Sequence, residues 1–172
     1  MIDIRHALTI TGWMFEEELL WLAEQASTCQ HIIEVGSYHG RSTVAMAANS
    51  SAEIGAIDTW DGPVTADSEE QVGHSDFKVF CDNTRQYRNI YPIISSSLAA
   101  AKRFYTPRDM IFLDASHAYE DVRADILAWR TKVRPGGILC GHDYGTWPGV
   151  QQAVDECFPD INRVGSIWSV VL

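Results

Sequence analysis

No cluster of lysine or arginine occurs anywhere in these 172 residues, and 23 acids outnumber 13 bases for a formal charge of −10. Such a chain repels phosphate backbones at long range, so nucleic acid is not an expected partner. Cysteine is sparse and scattered. Cys29, Cys81, Cys140 and Cys157 never form a C-x-x-C pair, which suggests neither a zinc site nor a disulfide framework. No apolar run approaches bilayer-spanning length, and the opening Met1-Ile-Asp-Ile-Arg5 lacks the charged-then-apolar pattern of a secretory leader. A soluble, cytoplasmic protein with no membrane partner is expected. Internal repeats and low-complexity segments are also missing. With 46% apolar residues the chain can build one sizeable core, so residues 1–172 are expected to form a single domain.

What is present alternates. Phe15, Leu19, Leu22, Ala23 and Ala26 recur at helical spacing behind Glu16, Glu17 and Glu18, acids that complement a helix dipole, so 1–28 reads as an N-terminal helical segment. Strands are expected over 31–36, 53–58, 91–95, 109–114 and 137–142. Between and after them helices are expected over 41–50, 77–88, 97–104, 118–133 and 149–157. Alternation of this kind predicts an α/β fold with a mostly parallel sheet between helical layers. Asn162–Ser166 and Ile167–Leu172 lie too close together for a crossover helix, so they should close the sheet as a hairpin with an antiparallel strand. The acidic stretch 61–76, with two glycines and a proline, suits a loop above a ligand cleft, either a lid or a plain solvated loop.

One further absence bears on the ligand. The loop Glu34-Val-Gly-Ser-Tyr-His-Gly40 follows a predicted strand and precedes a predicted helix, as a nucleotide-binding turn does. A dinucleotide fingerprint would place a glycine in the middle, where a pyrophosphate approaches. Tyr38 stands there instead, and a diphosphate would be crowded out. Gly36 and Gly40 lack a Cβ, which allows a sharp turn and a close ligand, and the helix beyond offers free N–H groups.

Two other strand ends carry chemistry. Asp114, His142 and Asp143 fall at the C-terminal ends of neighbouring predicted strands, the edge where open α/β sheets bind ligands. Two carboxylates and one imidazole suit Mg²⁺ or Mn²⁺ better than zinc. Taken singly, Asp114 reads equally well as a helix N-cap.

The pattern E-x-G-x-x-x-G resembles the first motif of class I S-adenosylmethionine-dependent methyltransferases. Together with Asp58-Thr-Trp-Asp-Gly62, Asp114-x-x-His117-x-Tyr119 and Gly136-Gly137…His142-Asp143-Tyr144, it resembles in identity and order the small-molecule O-methyltransferases that include the macrocin-type and type 24 groups. The resemblance implies a Rossmann-like class I fold whose seventh strand runs against the other six. It also implies S-adenosylmethionine as cofactor and methyl transfer to a hydroxyl of a small molecule or glycan. By it Asp114 and Asp143 correspond to metal-binding acids, His142 stands where a further ligand is often acidic, and His117 corresponds to a general base. Ala115 stands where glycine is common, which trims space near the metal.

For the cofactor, Glu34, Gly36, Ser37, Gly40 and Ser42 belong to the loop that would hold its methionine part. Asp58, 18 residues beyond Gly40, can accept hydrogen bonds from both ribose hydroxyls. Trp60 reads as an adenine cover or as core, and Ser96 as a group within reach of the adenine. Arg41 and Ser42 open a helix, where cap and ligand-carboxylate roles coexist. His39 receives no role. Two other functions are compatible with fewer of these residues: a non-catalytic S-adenosylmethionine-binding accessory module, and an NAD-dependent oxidoreductase, which the missing central glycine disfavours. Trp13, Trp147 and Trp168 are candidates for an interface in a homo-oligomer.

Overall fold

The computed structural model describes residues 2–61 and 73–172. Most of the loop expected over 61–76 therefore lies outside the described residues. The strands β1 (His31–Val35), β2 (Glu53–Asp58), β3 (Ile90–Ile94), β4 (Arg108–Leu113) and β5 (Val133–Gly141) pair in parallel. After them come β6 (Asn162–Val164) and β7 (Ile167–Val171), with β7 antiparallel to both β5 and β6. The order β3-β2-β1-β4-β5-β7-β6 reverses between β1 and β4, because the chain reaches β3 at one edge and then returns to the other side of β1. Such a switch point opens a crevice at the carboxyl ends of the strands.

Burial on both faces explains why the strands read as apolar runs. Successive side chains on β1 point to opposite faces. Ile32 packs with α1 (Arg5–Thr9), α2 (Glu16–Ala26) and α3 (Arg41–Ala47), whereas Ile33 and Val35 pack with α5 (Ser97–Ala101), α6 (Tyr119–Trp129) and α7 (Pro148–Cys157). The remaining helix, α4 (Gly73–Thr84), sets Phe80 against Trp60 and Ala56 beside β2. Among the described residues no helix is long and apolar enough to cross a membrane.

Several boundaries differ from expectation. Phe15 sits outside α2 as its N-cap and is 70% exposed, while Glu18 is fully buried in the stripe's place. β5 begins at Val133 rather than 137, since Asp109 of β4 accepts a bond from Arg134 Nε (2.6 Å) and the Gly136 N–H donates to the Leu172 carbonyl. A register shift beside Arg108 and a positive φ of 74° at Gly136 let the strand run through Pro135. Helix α6 accordingly stops at Trp129, and a 3₁₀ turn, Arg130–Lys132, leads into the strand. Trp168 packs against Phe158 and is 1% exposed, so it is core and leaves the interface candidates.

Below the third strand end, Ser97 Oγ donates to buried Asp125 and accepts from Trp129 Nε1 at 2.9 Å. Burial pushes the Asp125 carboxyl up from 3.8 to about 6. An acid that keeps its proton longer when folded than unfolded lowers stability as pH rises through that window. Asp125→Asn should therefore stabilise the fold by up to about 3 kcal/mol at pH 7 and by almost nothing at pH 4. Urea unfolding at the two pH values checks this; an equal effect at both would mean that folding does not raise the Asp125 pKa.

Candidate active site

The ends of β1 to β5 open into one cavity of about 760 Å³, lined among others by Gly36, Asp58, Ser96, Asp114 and His142. That volume suits a cofactor-sized ligand. Gly36, with φ 90°, donates its N–H to the Ile57 carbonyl at 2.8 Å. A Cβ at Gly36 would stand 2.0 Å from the Asp114 carbonyl oxygen, so this glycine lets the β1 and β4 exits pass each other as well as bordering the cavity.

Gly40 is different. Its φ is 88°, it does not line the cavity, and a Cβ there would meet Thr84 and Phe80 of α4. Helix packing, not ligand approach, explains it. Glu34 also lies behind the wall. It is fully buried, with Ser42 Oγ donating to Oε1 at 2.6 Å and Thr43 Oγ1 donating to Oε2. Burial pushes its carboxyl up, against the opposing effect of these hydroxyls. Of the residues expected to hold the cofactor, Glu34 and Gly40 thus do not line the cavity; they lie beneath the loop, in contact with α3 and α4. Ser42 borders the cavity, but its hydroxyl proton goes to Glu34. Ser37 lines the cavity with a buried Oγ that has no hydrogen-bond partner among the described residues.

Asp58 borders the cavity with each carboxylate oxygen anchored by one backbone N–H, from Tyr38 and from Trp60, both at 2.8 Å. Each oxygen keeps a second lone pair. Trp60 is 2% exposed, packs on Phe77 and Phe80, and donates Nε1–H to the Tyr38 carbonyl at 2.7 Å. It closes one wall of the cavity from the core side. Ser96 lines the cavity beyond β3.

At the β4 and β5 ends the predicted cluster assembles. Asp114, His142 and Asp143 each offer a ligand atom within 4.8 Å of the others. Asp114 does not cap α6, whose N-cap is Ala118. His142 Nδ1 lies 3.4 Å from Asp143 Oδ1 and 3.7 Å from Asp114 Oδ1. Burial works against an imidazolium here, yet Asp143 and Glu18 hold its pKa up at about 10. Burial also pushes Asp114 up to about 8, relieved by His142 and reinforced by the nearby acids. Crowded acids of this kind fit a divalent cation, whose arrival would displace protons. His117 joins the cluster through Asp143, with Nε2 at 2.8 Å from Oδ2, and its ring lies flat on Trp147 at 4.5 Å.

The Glu18 contact and the Arg41 clamp were not anticipated. Glu18 reaches the cluster from α2, 3.2 Å from His142 Nε2. Arg41, expected as a cap or a carboxylate ligand, donates to the carbonyls of Ala7, Leu8, Ile10 and Met14. That clamp holds the segment Thr11–Phe15, which forms a further wall of the cavity. Exposed Trp13, Phe15 and Trp147 rim the mouth, with Trp13 against Tyr38 and Tyr38 stacked on His39. His39 Nε2 in turn pairs with Asp76 at 2.9 Å. For Glu18 alone the sequence carried a signal, its helical position four residues before Leu22 of the buried stripe.

Comparison with known proteins places this arrangement. The type 24 family, described as a methyltransferase domain, matches residues 33–144. The uncharacterized protein y4gI of Sinorhizobium fredii is 27% identical over 143 residues, covering 74% of this chain; the chain spans only 15% of that protein's length. Among solved structures, an O-methyltransferase from Bacillus cereus in complex with SAH superposes with a TM-score of 0.68 at 17% identity, covering 96% of this chain and 86% of that one. The O-methyltransferase TomG from Streptomyces achromogenes, in complex with SAM, gives 0.69 at 13% identity, covering 92% and 81%. These likenesses show the fold. The family match spans the glycine loop, Asp58 and the Asp114–Asp143 cluster, and the chain therefore belongs to the type 24 methyltransferase-domain family, on a class I methyltransferase fold.

Proposed function

We propose that this domain binds S-adenosylmethionine along the β1 and β2 ends and transfers its methyl group to a hydroxyl of an uncharged small molecule or glycan, aided by Mg²⁺ or Mn²⁺ held by Asp114, His142 and Asp143. One observation carries this: residues of the glycine loop with Asp58, and the acid–histidine cluster with His117, line a single cavity. Asp58 would hold the ribose, Gly36 and Ser37 the methionine end, and Ser96 and Trp60 the adenine side. A divalent cation, when bound, supplies Lewis acidity to the acceptor hydroxyl. The chain's own residues do the rest. Asp143 Oδ2, 2.8 Å from His117 Nε2, would hold a proton on that nitrogen, leaving Nδ1 to take the hydroxyl proton as the methyl moves from sulfonium sulfur to oxygen. The cavity walls align the two reactants.

The acceptor's lack of charge has its own support. Among the described residues no lysine lines the cavity, and its one arginine, Arg41, is committed to backbone carbonyls. The sequence 62–72 adds no base. An anionic acceptor would therefore find no free basic side chain among the described cavity residues to pair with.

Calorimetric titration with S-adenosylhomocysteine and with Mn²⁺, followed by an acceptor screen with and without EDTA, tests the proposal. Cofactor binding with indifference to metal and no turnover would instead fit an accessory module. NADH should leave the melting temperature unchanged where S-adenosylhomocysteine raises it. Asp58→Ala should weaken S-adenosylhomocysteine by about 1.5 to 3 kcal/mol, the range for hydrogen bonds to a charged group; unchanged affinity would remove Asp58 from the cofactor site.

A further inference from the structure

We infer that Glu18 is a positioning residue for His142: a carboxylate supplied by α2, outside the matched 33–144 span, that accepts from Nε2–H and so directs Nδ1 toward Asp114 and Asp143. The inference rests on the metal reading above and extends it to a side chain that reading does not use. Glu16 and Glu17 are exposed, whereas Glu18 is fully buried. A buried carboxylate costs several kcal/mol unless it is paired and hydrogen-bonded. Backbone donors meet part of that need: the Ser166 N–H donates to Oε1 and the Phe15 N–H to Oε2, each at 2.7 Å. A Cβ at Gly165 would come within 2.6 Å of Oε1, so the β6–β7 turn is shaped around this carboxylate.

Among the described residues the one side chain that pairs with it is His142, with Nε2 at 3.2 Å from Oε2. The His142 side chain is 7% exposed, and its Nε2 makes no well-aligned hydrogen bond among the described residues. Glu18 is therefore the acceptor in reach of that nitrogen. On the opposite edge of the ring, Nδ1 faces Asp143 and Asp114. A simple ion pair between α2 and β5 would not need this division of the ring, one nitrogen to a buried carboxylate and the other to the acidic cluster. Histidines that ligate metals make that division, the second nitrogen donating to a carboxylate that fixes tautomer and orientation.

The test is Mn²⁺ titration of the full chain as wild type, Glu18→Gln, His142→Ala and the double variant, with melting temperature read in parallel. Glutamine cannot accept from Phe15, Ser166 and His142 together, so Glu18→Gln should weaken Mn²⁺ by about 10- to 100-fold. In the His142→Ala background the same change should cost nothing more. Unchanged Mn²⁺ affinity in Glu18→Gln, or an equal loss without His142, overturns the inference and leaves Glu18 a structural residue that moves only the melting temperature. Wild type that fails to bind Mn²⁺ refutes the metal reading itself, and this inference with it. Should Glu18→Gln not fold, ¹⁵N-correlated NMR of wild type with Mg²⁺ decides: a proton on His142 Nε2 is expected, and an Nε2 without a proton overturns it.

Discussion

Replacing His117 by alanine should lower kcat by about 10²-fold or more, the contribution of a positioned general base, while leaving the fold and S-adenosylhomocysteine affinity close to wild type. The geometry separates the two effects. The His117 side chain is 44% exposed, so its removal opens no core cavity. Its two contacts, Asp143 through Nε2 and the face of Trp147, hold the ring at the cavity without burying it. Asp143 itself has a positive φ of 68° and sends its second carboxylate oxygen toward His142, so one acid orients both histidines. A strained backbone at such a residue is tolerated where surrounding structure fixes it. Because Asp143 lies beside both His117 and His142, Asp143→Ala would not discriminate between base and metal; His117→Ala does. A near-normal kcat in His117→Ala would reduce the residue to a prop for Trp147.

The features legible in the sequence are those with local causes. The glycine loop, the alternation of apolar runs and the acids at strand ends depend on the chain's immediate neighbours, and the strand order then carries Asp58, Asp114 and His142 to one cavity. What stayed hidden depends on distant partners. Glu18 reads as a dipole-complementing acid in a run of three, and only contacts with Ser166 and His142, far along the chain, make it a buried hub. Glu34 reads as part of the ligand loop, but alternation on β1 turns it toward α3, where Ser42 and Thr43 absorb its charge. Gly40 has the same φ-permissive residue type as Gly36, yet the neighbours a Cβ there would meet are Thr84 and Phe80 of α4. Trp13 and Trp168 are alike in sequence and opposite in fate, one 76% and the other 1% exposed.

The N-terminal segment changes how the site is understood. Residues before 33 lie outside the family match, yet they bring Thr11–Phe15 to the cavity wall, Glu18 to the histidine, and four carbonyls to Arg41. Gly12 belongs to the same device, since a Cβ there would press on Arg41 Cδ at 2.7 Å. Acceptor choice on this domain is therefore expected to lie with this segment and the aromatic rim, and the proposed cofactor and metal sites with the strand ends.

The other large effect is expected at Asp114. Asp114→Asn should reduce turnover by about 10³-fold or more, matching the several kcal/mol that a Lewis acid contributes to such a reaction, and should weaken Mn²⁺ while changing S-adenosylhomocysteine affinity by no more than a few-fold. The carboxyl stands where burial already pushes its pKa up to about 8, so asparagine mimics the form it takes at neutral pH without a cation. The fold should thus survive the change, and the loss reports ligation. Asp58 and Tyr38, at the opposite end of the cavity, keep their mutual hydrogen bond whichever residue stands at 114. Wild-type activity undiminished by EDTA, or an Asp114→Asn variant that turns over normally, would leave the cluster a closed ion-pair network in which His142 alone balances the acids.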